Sequence, residues 1–415
     1  MESGELRQQV REARGKFAAM AGSYSLGVFN DNFFRQAAIL LAGVASKGNI
    51  MMLFALPYIL LAPQAGWFAD RFSKRHVVIG AKGMELAAMT LGAIGVWTLN
   101  WPLIMIMTFM MALQSCVFGP ALNGSIPELY PAVYVNKANA ILKAAVTICI
   151  LSGVALSGII LDIEGGFQPW GIPTGRFLVG LFVLGIAGVG LAASFGTVHR
   201  PAASPNEPFP KKATWEIVSR LAEIWRDKLL FVIVLADVFI WSIGSLLALV
   251  IAAMEDKQFL YDKWTVSTLT AAELVGVAIG GGISSKLNIT GKWHKILPLM
   301  AGMMGLTLLA VGAVPMLQAG LRLPALYGLL GVAGIAGGLI MIPCESFVQI
   351  RPNPARKGAV IAAANFAIFS GILVSGFLAD LLNPNFDPSF SVGIIGGFCV
   401  AVGVALHLGL RRFWK

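Results

Sequence analysis

The sequence predicts an all-α polytopic membrane protein with twelve transmembrane helices in two six-helix bundles. The first observation is composition: 57% of the 415 residues are hydrophobic and only 13% charged, with a mean hydropathy of +0.77. A soluble domain carries about 25% charged residues, and burying such an apolar excess in water would need one very large core. The second is spacing. Apolar segments recur at 22–44, 49–69, 77–99, 102–121, 138–161 and 177–196, then at 229–252, 265–285, 295–317, 324–346, 358–379 and 391–410. Each is long enough to cross about 30 Å of hydrocarbon as a helix. The third is repetition. Ser152-Gly153, Ser157-Gly158 and Asp162 return as Ser370-Gly371, Ser375-Gly376 and Asp380 at a constant shift of 218. Gly66-x-x-x-Asp70-Arg71 has a weaker echo in Gly281-x-x-x-Ser285-Lys286. The small residues of this repeat let helices approach closely.

Taken in order, Met1 to Lys16 is too charged for a secretory signal peptide. Leu6, Val10, Ala13 and Phe17 recur at helical spacing beside Arg7, Arg11 and Arg14, which predicts a short helix on an anionic membrane face. Residues 1–196 then form the first six-helix bundle. The interval 197–228 opens with Pro201, Pro205, Pro208 and Pro210, a stiff linker, and continues with Trp215, Val218, Leu221 and Trp225 on one face of an amphipathic helix. Residues 229–415 form the second bundle. With an even number of spans both termini share a side, and 24 of the 31 basic residues fall on it, including Arg71, Lys74, Arg75, Lys211, Lys212, Arg356 and Arg411. The opposite side has five, Lys47, Arg176, Lys257, Lys263 and Arg322, so the positive-inside rule puts both termini in the cytoplasm.

The stretch Phe29-Asn30-Asp31-Asn32-Phe33-Phe34-Arg35-Gln36 lies mid-way along the first span, where charges are costly and mark function. Asp31 and Arg35, at i and i+4, share a helix face and neutralise each other. Asn30, Asn32 and Gln36 add donors and acceptors. A phosphate would suit Arg35 and an ammonium Asp31. The alternative is a structural pair tying span one to a neighbour such as Asn139 in span five. Glu85 lies one turn from Lys82, a neutralised structural pair. Asp237 in span seven occupies the repeat's counterpart of span one, a cavity position for substrate or a coupling proton. Glu273, beside Ala271, Ala272 and Gly276, is a second proton candidate, as is Asp31 itself. Glu345, after Pro343, is read as an interface partner for Arg351. Met105, Met107, Met110 and Met111 read as lipid-facing core rather than a substrate path.

Gly66-Trp67-Phe68-Ala69-Asp70-Arg71-Phe72-Ser73-Lys74-Arg75, between spans two and three, resembles the G-x-x-x-D-R-x-G-R-R loop of the major facilitator superfamily, with Ser73 in place of a Gly. The resemblance implies that Gly66, Asp70, Arg71, Lys74 and Arg75 form a conformational latch that breaks as the halves rock. Phe29-x-Asp31-Asn32, the loop Pro120-Ala121-x-x-Gly124-x-x-x-Glu128-Leu129 and Lys137-Ala138-Asn139 are similar to motifs of the bacterial lysophospholipid transporter family. That resemblance implies a flippase of the inner membrane, moving lysophospholipids from the outer to the cytoplasmic leaflet. There an acyltransferase and acyl-carrier-protein synthetase would re-acylate them. No fused acylating domain is expected after Arg411-Arg412-Phe413-Trp414-Lys415. The chain departs from the family at Leu122 and Ala248, where basic residues are expected, and at Lys143, where an acid is; Arg35 supplies a cation beside Asp31.

Two rivals share the evidence. One is a proton-coupled exporter of small amphipathic molecules; the other is a non-transporting membrane anchor for the acylating enzymes. The basic balance is spread over loops rather than patched with aromatics, so nucleic acid is not an expected partner. No phosphate loop, nucleophile elbow or metal-ligand spacing occurs, and His76, His199, His294 and His407 lie apart, so no cofactor, metal or catalysis is expected. Cys116, Cys149, Cys344 and Cys399 all fall in apolar segments and read as small buried hydrophobes.

Overall fold

The computed structural model describes residues 3–43, 46–130, 132–197, 224–284, 293–352 and 357–411, with a few positions between 202 and 222. Among the described residues there are thirteen α-helices of ten residues or more: α1 Ser3–Leu41, α2 Lys47–Leu60, α3 Ala62–Arg71, α4 Lys74–Thr98, α5 Trp101–Leu129, α6 Ala132–Leu161 and α7 Thr174–Ser194. They continue with α8 Lys228–Lys257, α9 Lys263–Ser284, α10 Ile296–Ala313, α11 Ala319–Ile350, α12 Lys357–Asn385 and α13 Pro388–Leu410. Among the described residues there is no strand. Ten of these helices are long and apolar enough to cross a membrane; α2 is a shorter apolar helix, and α1 carries the apolar segment 22–44. This is a multi-pass membrane protein. Lipid offers no hydrogen bonds, so a spanning segment must satisfy its own backbone, which the i to i−4 ladder does.

Two compact units divide the chain: residues 1–38 with 56–214, and residues 39–55 with 215–415. In the first, α1 is one unbroken helix of 39 residues. At a rise of about 1.5 Å per residue it is roughly twice as long as the hydrocarbon is thick. The stretch read as a separate short helix is therefore continuous with span one. Its apolar side, Ala13 and Phe17, packs into a protein core with Val77, Ala81, Phe118 and Tyr130, while Arg11, Arg14 and Lys16 stay exposed. Phe17 meets Tyr130 edge-on at 5.3 Å.

Span two is interrupted at Leu61 (φ −123°, ψ 1°) and restarts with Pro63 in the first turn of α3, where a missing N–H costs nothing. Leu61 N–H to Pro57 O (2.8 Å) and Ala65 N–H to Leu61 O (2.9 Å) carry the ladder across. α4 stops at Leu99 in the left-handed region (φ 52°), and Asn100 Oδ1 accepts the Leu103 N–H to begin α5. α5 runs on to Leu129, so the stretch 118–129 expected as a loop is helical backbone. Met107 and Met111 are fully buried, Met107 against Gly92, and so belong to the protein interior rather than to a lipid-facing surface.

The sequence repeat has a packing counterpart inside each unit. A Cβ on Gly153 of α6 would stand 2.7 Å from Phe29 O of α1. Its repeat partner Gly371 of α12 would stand 2.3 Å from Ser242 Oγ of α8. Thus spans five and one, and spans eleven and seven, cross at equivalent glycines. A close crossing, repeated over four glycines, joins α9 and α11. Cβ atoms at Gly276, Gly280, Gly334 and Gly338 would fall 2.1–2.2 Å from facing carbonyl oxygens. Helix association in lipid depends on such close approach, because hydrocarbon supplies no hydrophobic drive between helices.

Gly334→Leu should therefore lower stability by about 1–3 kcal/mol or more, the cost of overpacking. Gly328→Leu, on the same helix but with open space around its Cβ, should be near neutral. Thermal unfolding of the two purified variants in detergent checks this, and equal effects would refute the crossing as drawn.

Candidate functional site

An α-helix turns 100° per residue, so the polar stretch of α1 fans out in several directions. Asp31 is buried and faces α5, where its carboxylate accepts from Ser115 Oγ and from Gln114 Nε2 at 3.4 Å. The Arg35 guanidinium, one turn on, donates to Asn32 Oδ1 and lies within electrostatic reach of Asp31 and of Tyr58 from α2. Asn32 Nδ2 donates to Val28 O at 2.7 Å. Tyr24 and Tyr58 both stand within electrostatic reach of Asp31, and Tyr24 stacks on Phe118 at 5.2 Å. One carboxylate, one guanidinium, two phenols, a hydroxyl and two carboxamides thus gather on one side of α1. Gln36 is buried nearby, and its Nε2 has no hydrogen-bond partner among the described residues.

Asn30 points the other way. Its Nδ2 donates to Val183 O of α7 (3.1 Å) and to Glu85 Oε1 of α4 (3.4 Å). Glu85 pairs with Lys82 at 2.6 Å, both almost completely buried. Lys82 also sits 5.4 Å above the Phe118 ring, and a Cβ on Gly27 would come within 2.5 Å of its Nζ. Gly27 is therefore the space that admits the lysine, and Ser23 Oγ to Gly190 O (2.9 Å) closes the same face. Asn30 bonds to this set, and both Glu85 and Lys82 stand within electrostatic reach of Asp31.

Of the loop motif, α3 carries Gly66 and Asp70, whose side chains lie outside the described residues. Arg71 stands 5.9 Å over the Trp67 ring, Lys74 is buried, and Arg75 donates to Phe195 O at 3.3 Å. The side chains of Pro120, Gly124, Glu128, Lys137 and Asn139 also lie outside the described residues, as does most of the expected amphipathic helix of the linker.

In the second unit Asp237 of α8 and Glu273 of α9 are both buried. Arg351 bonds Asp227 at 2.9 Å rather than Glu345. Asp227 is the better placed acid because it already caps α8, accepting from Leu230 N–H at 3.2 Å at the end where Arg351 arrives. A further group escaped the sequence reading. Lys47, counted there only as a loop cation, is fully buried, bonding Ile39 O (2.9 Å) and Asp256 (3.1 Å), while Gly48 N–H donates to Asp380 Oδ1 at 2.8 Å. Gln114 and Ser115 were missed too, although a Gln-Ser pair inside a Met-rich apolar span was a visible signal.

The family model of the Major Facilitator Superfamily matches residues 15–376. A protein named lysophospholipid transporter LplT from Klebsiella pneumoniae is 26% identical over 403 residues, 95% of either chain. One of the same name from Salmonella newport is 27% identical over 372 residues, 87% of this chain and 86% of the relative. Among solved structures, a D-xylose–proton symporter aligns with a TM-score of 0.69 over 97% of both chains at 15% identity. The inward-open xylose transporter XylE from E. coli gives 0.67 over 96% of this chain and 99% of that one, also at 15% identity. At that identity the structural likeness establishes the fold alone.

Lys82→Met would leave Glu85 as an uncompensated buried charge and should cost about 3–5 kcal/mol. The double variant Lys82→Met/Glu85→Leu should recover most of it. Detergent thermal stability of both variants reads the difference; no recovery in the double variant would give the pair a role beyond neutralisation.

Proposed function

The chain belongs to the major facilitator superfamily, and from that premise we propose that this membrane transporter carries lysophospholipids. The Asp31–Arg35 group carries the reading. A lysophospholipid head group presents a phosphate and often an ammonium. Leaving water, each needs a fixed partner of opposite charge, because an unpaired charge in a low-dielectric site is costly. Arg35 offers a planar fork for phosphate and Asp31 a counter-charge for ammonium. Tyr24, Tyr58, Gln114 and Ser115 supply neutral donors and acceptors around them. The single acyl chain needs only apolar surface, which the spans provide. The names of the relatives, aligned over most of their length, support the same cargo.

In this reading the chain resides in the bacterial inner membrane with both termini cytoplasmic, as the distribution of basic residues favours. Lysophospholipid moves from the outer to the cytoplasmic leaflet by alternating access of the two repeats. A cytoplasmic acyltransferase and acyl-carrier-protein synthetase would then re-acylate it, so the chain itself performs transport and not chemistry. The Gly66-to-Arg75 loop serves as a latch on that cycle, with Asp70 its acid.

Reconstituted into liposomes, the protein should translocate fluorescent lysophosphatidylethanolamine. Asp31→Ala and Arg35→Ala should each reduce the rate about tenfold or more, matching loss of a hydrogen bond to a charged group of about 1.5–3 kcal/mol. Thermal stability of the variants separates loss of folding from loss of function. Absence of any lysolipid movement, or full transport by both variants, would end this assignment.

A further inference from the structure

The interiors of the two six-span halves differ in charge balance. In the first half the acids Asp31 and Glu85 are matched by Arg35 and Lys82, with Lys143 near a span end. In the second half the apolar segments hold Asp237, Glu273 and Glu345, yet no Lys or Arg except Lys295 at the edge of span nine. Asp237 is 2% exposed, and its Oδ1 has no hydrogen-bond partner among the described residues. The one charge within electrostatic reach of it there is a second acid, Glu345 of α11, with the Cys344 thiol alongside.

Among the described residues the other helices around α8 bring no compensating charge. From α12, Gly371 and Ser375 meet Ser242 and Ser245, and Asp380 is engaged by Gly48 N–H. From α13, Phe398 packs on Phe239 at 6.1 Å, Cys399 is buried, and the exposed His407 lies two turns further along. From α9, Glu273 approaches α8 at Gly244, two turns beyond Asp237, again with no charged group in reach among the described residues. A carboxylate anion buried without a counter-charge costs far more than the neutral acid. Two acids facing each other make the doubly ionised state worse still. With no fixed cation in reach among the described residues, a mobile cation supplies the positive charge, and a proton is the one that needs no coordination shell.

We propose that Asp237, with Glu345 beside it, is a proton-binding site of the second unit, loaded and unloaded as the transporter works. Asp237 holds the proton; Glu345 is a positioning residue that sets how tightly it is held. The proposal needs only that the chain is a membrane transporter, whatever its cargo.

Infrared difference titration of the purified full chain tests it directly, because a protonated carboxyl shows a C=O stretch that a carboxylate lacks. The expected result is a protonated-carboxyl band at neutral pH that disappears in Asp237→Asn. Its midpoint should move to lower pH in Glu345→Gln, where the repelling neighbour is gone. Glu273→Gln should leave the Asp237 band in place. In proteoliposomes with a lumenal pH dye, fluorescent lysolipid should drive a pH change. Uptake should vary by up to about tenfold per pH unit, the slope of one titrating proton. Asp237→Asn should abolish both responses. No Asp237 band at neutral pH, a wild-type pH profile in Asp237→Asn, or uptake set by sodium against choline rather than by pH would each overturn the proposal. A protein that moves no lysolipid but shows the Asp237 band would sink the cargo assignment and leave the proton site standing.

Discussion

Hydrocarbon gives a buried charge nothing to bond to, and most of this molecule's interior answers that constraint. Lys82 and Glu85 are the plainest case. Each is buried to within 1% of complete exclusion, each is neutralised by the other, and a glycine on α1 makes room for the ammonium. Asn30 then spends its amide on Glu85 and on a carbonyl of α7, so α1, α4 and α7 are fixed around one ion pair. With that face occupied, helical geometry leaves Asp31 and Arg35 to turn toward α2 and α5. The polar group proposed to receive a head group thus stands one 100° helical step from Asn30, and the structural pair that Asn30 holds lies within electrostatic reach of Asp31.

The second organising factor is the absence of Cβ atoms where helices cross. Gly153 and Gly371, one repeat apart, let spans five and eleven approach spans one and seven in their respective units. Gly276, Gly280, Gly334 and Gly338 do the same for α9 and α11, bringing backbone carbonyls close to facing helices.

The composition, the spacing of apolar segments and the internal repeat made the twelve-span fold legible, because lipid allows few solutions for such a chain. The Phe29–Gln36 stretch was equally visible as costly polarity in the first span. Its division was not. Whether a polar residue serves structure or cargo depends on which helix stands opposite, and sequence spacing names a face without naming its neighbour. The same gap separates Arg351 from Asp227 and Lys47 from Asp256 in the sequence. Both are contacts between residues more than 100 positions apart.

By itself, then, the sequence determined the helices, their number and their duplication, and marked Asp31, Arg35, Asp237 and Glu273 as charges that needed an explanation. Hydropathy and periodicity are local properties, and membrane solvation converts them almost directly into spans. Only the tertiary structure decided which of those charges are answered. It gave Glu85 a lysine and a carboxamide, Asp31 a hydroxyl and an amide from α5, and Asp237 no cation among the described residues. Compensation of buried charge is a relation between helices, and it exists only once they have packed.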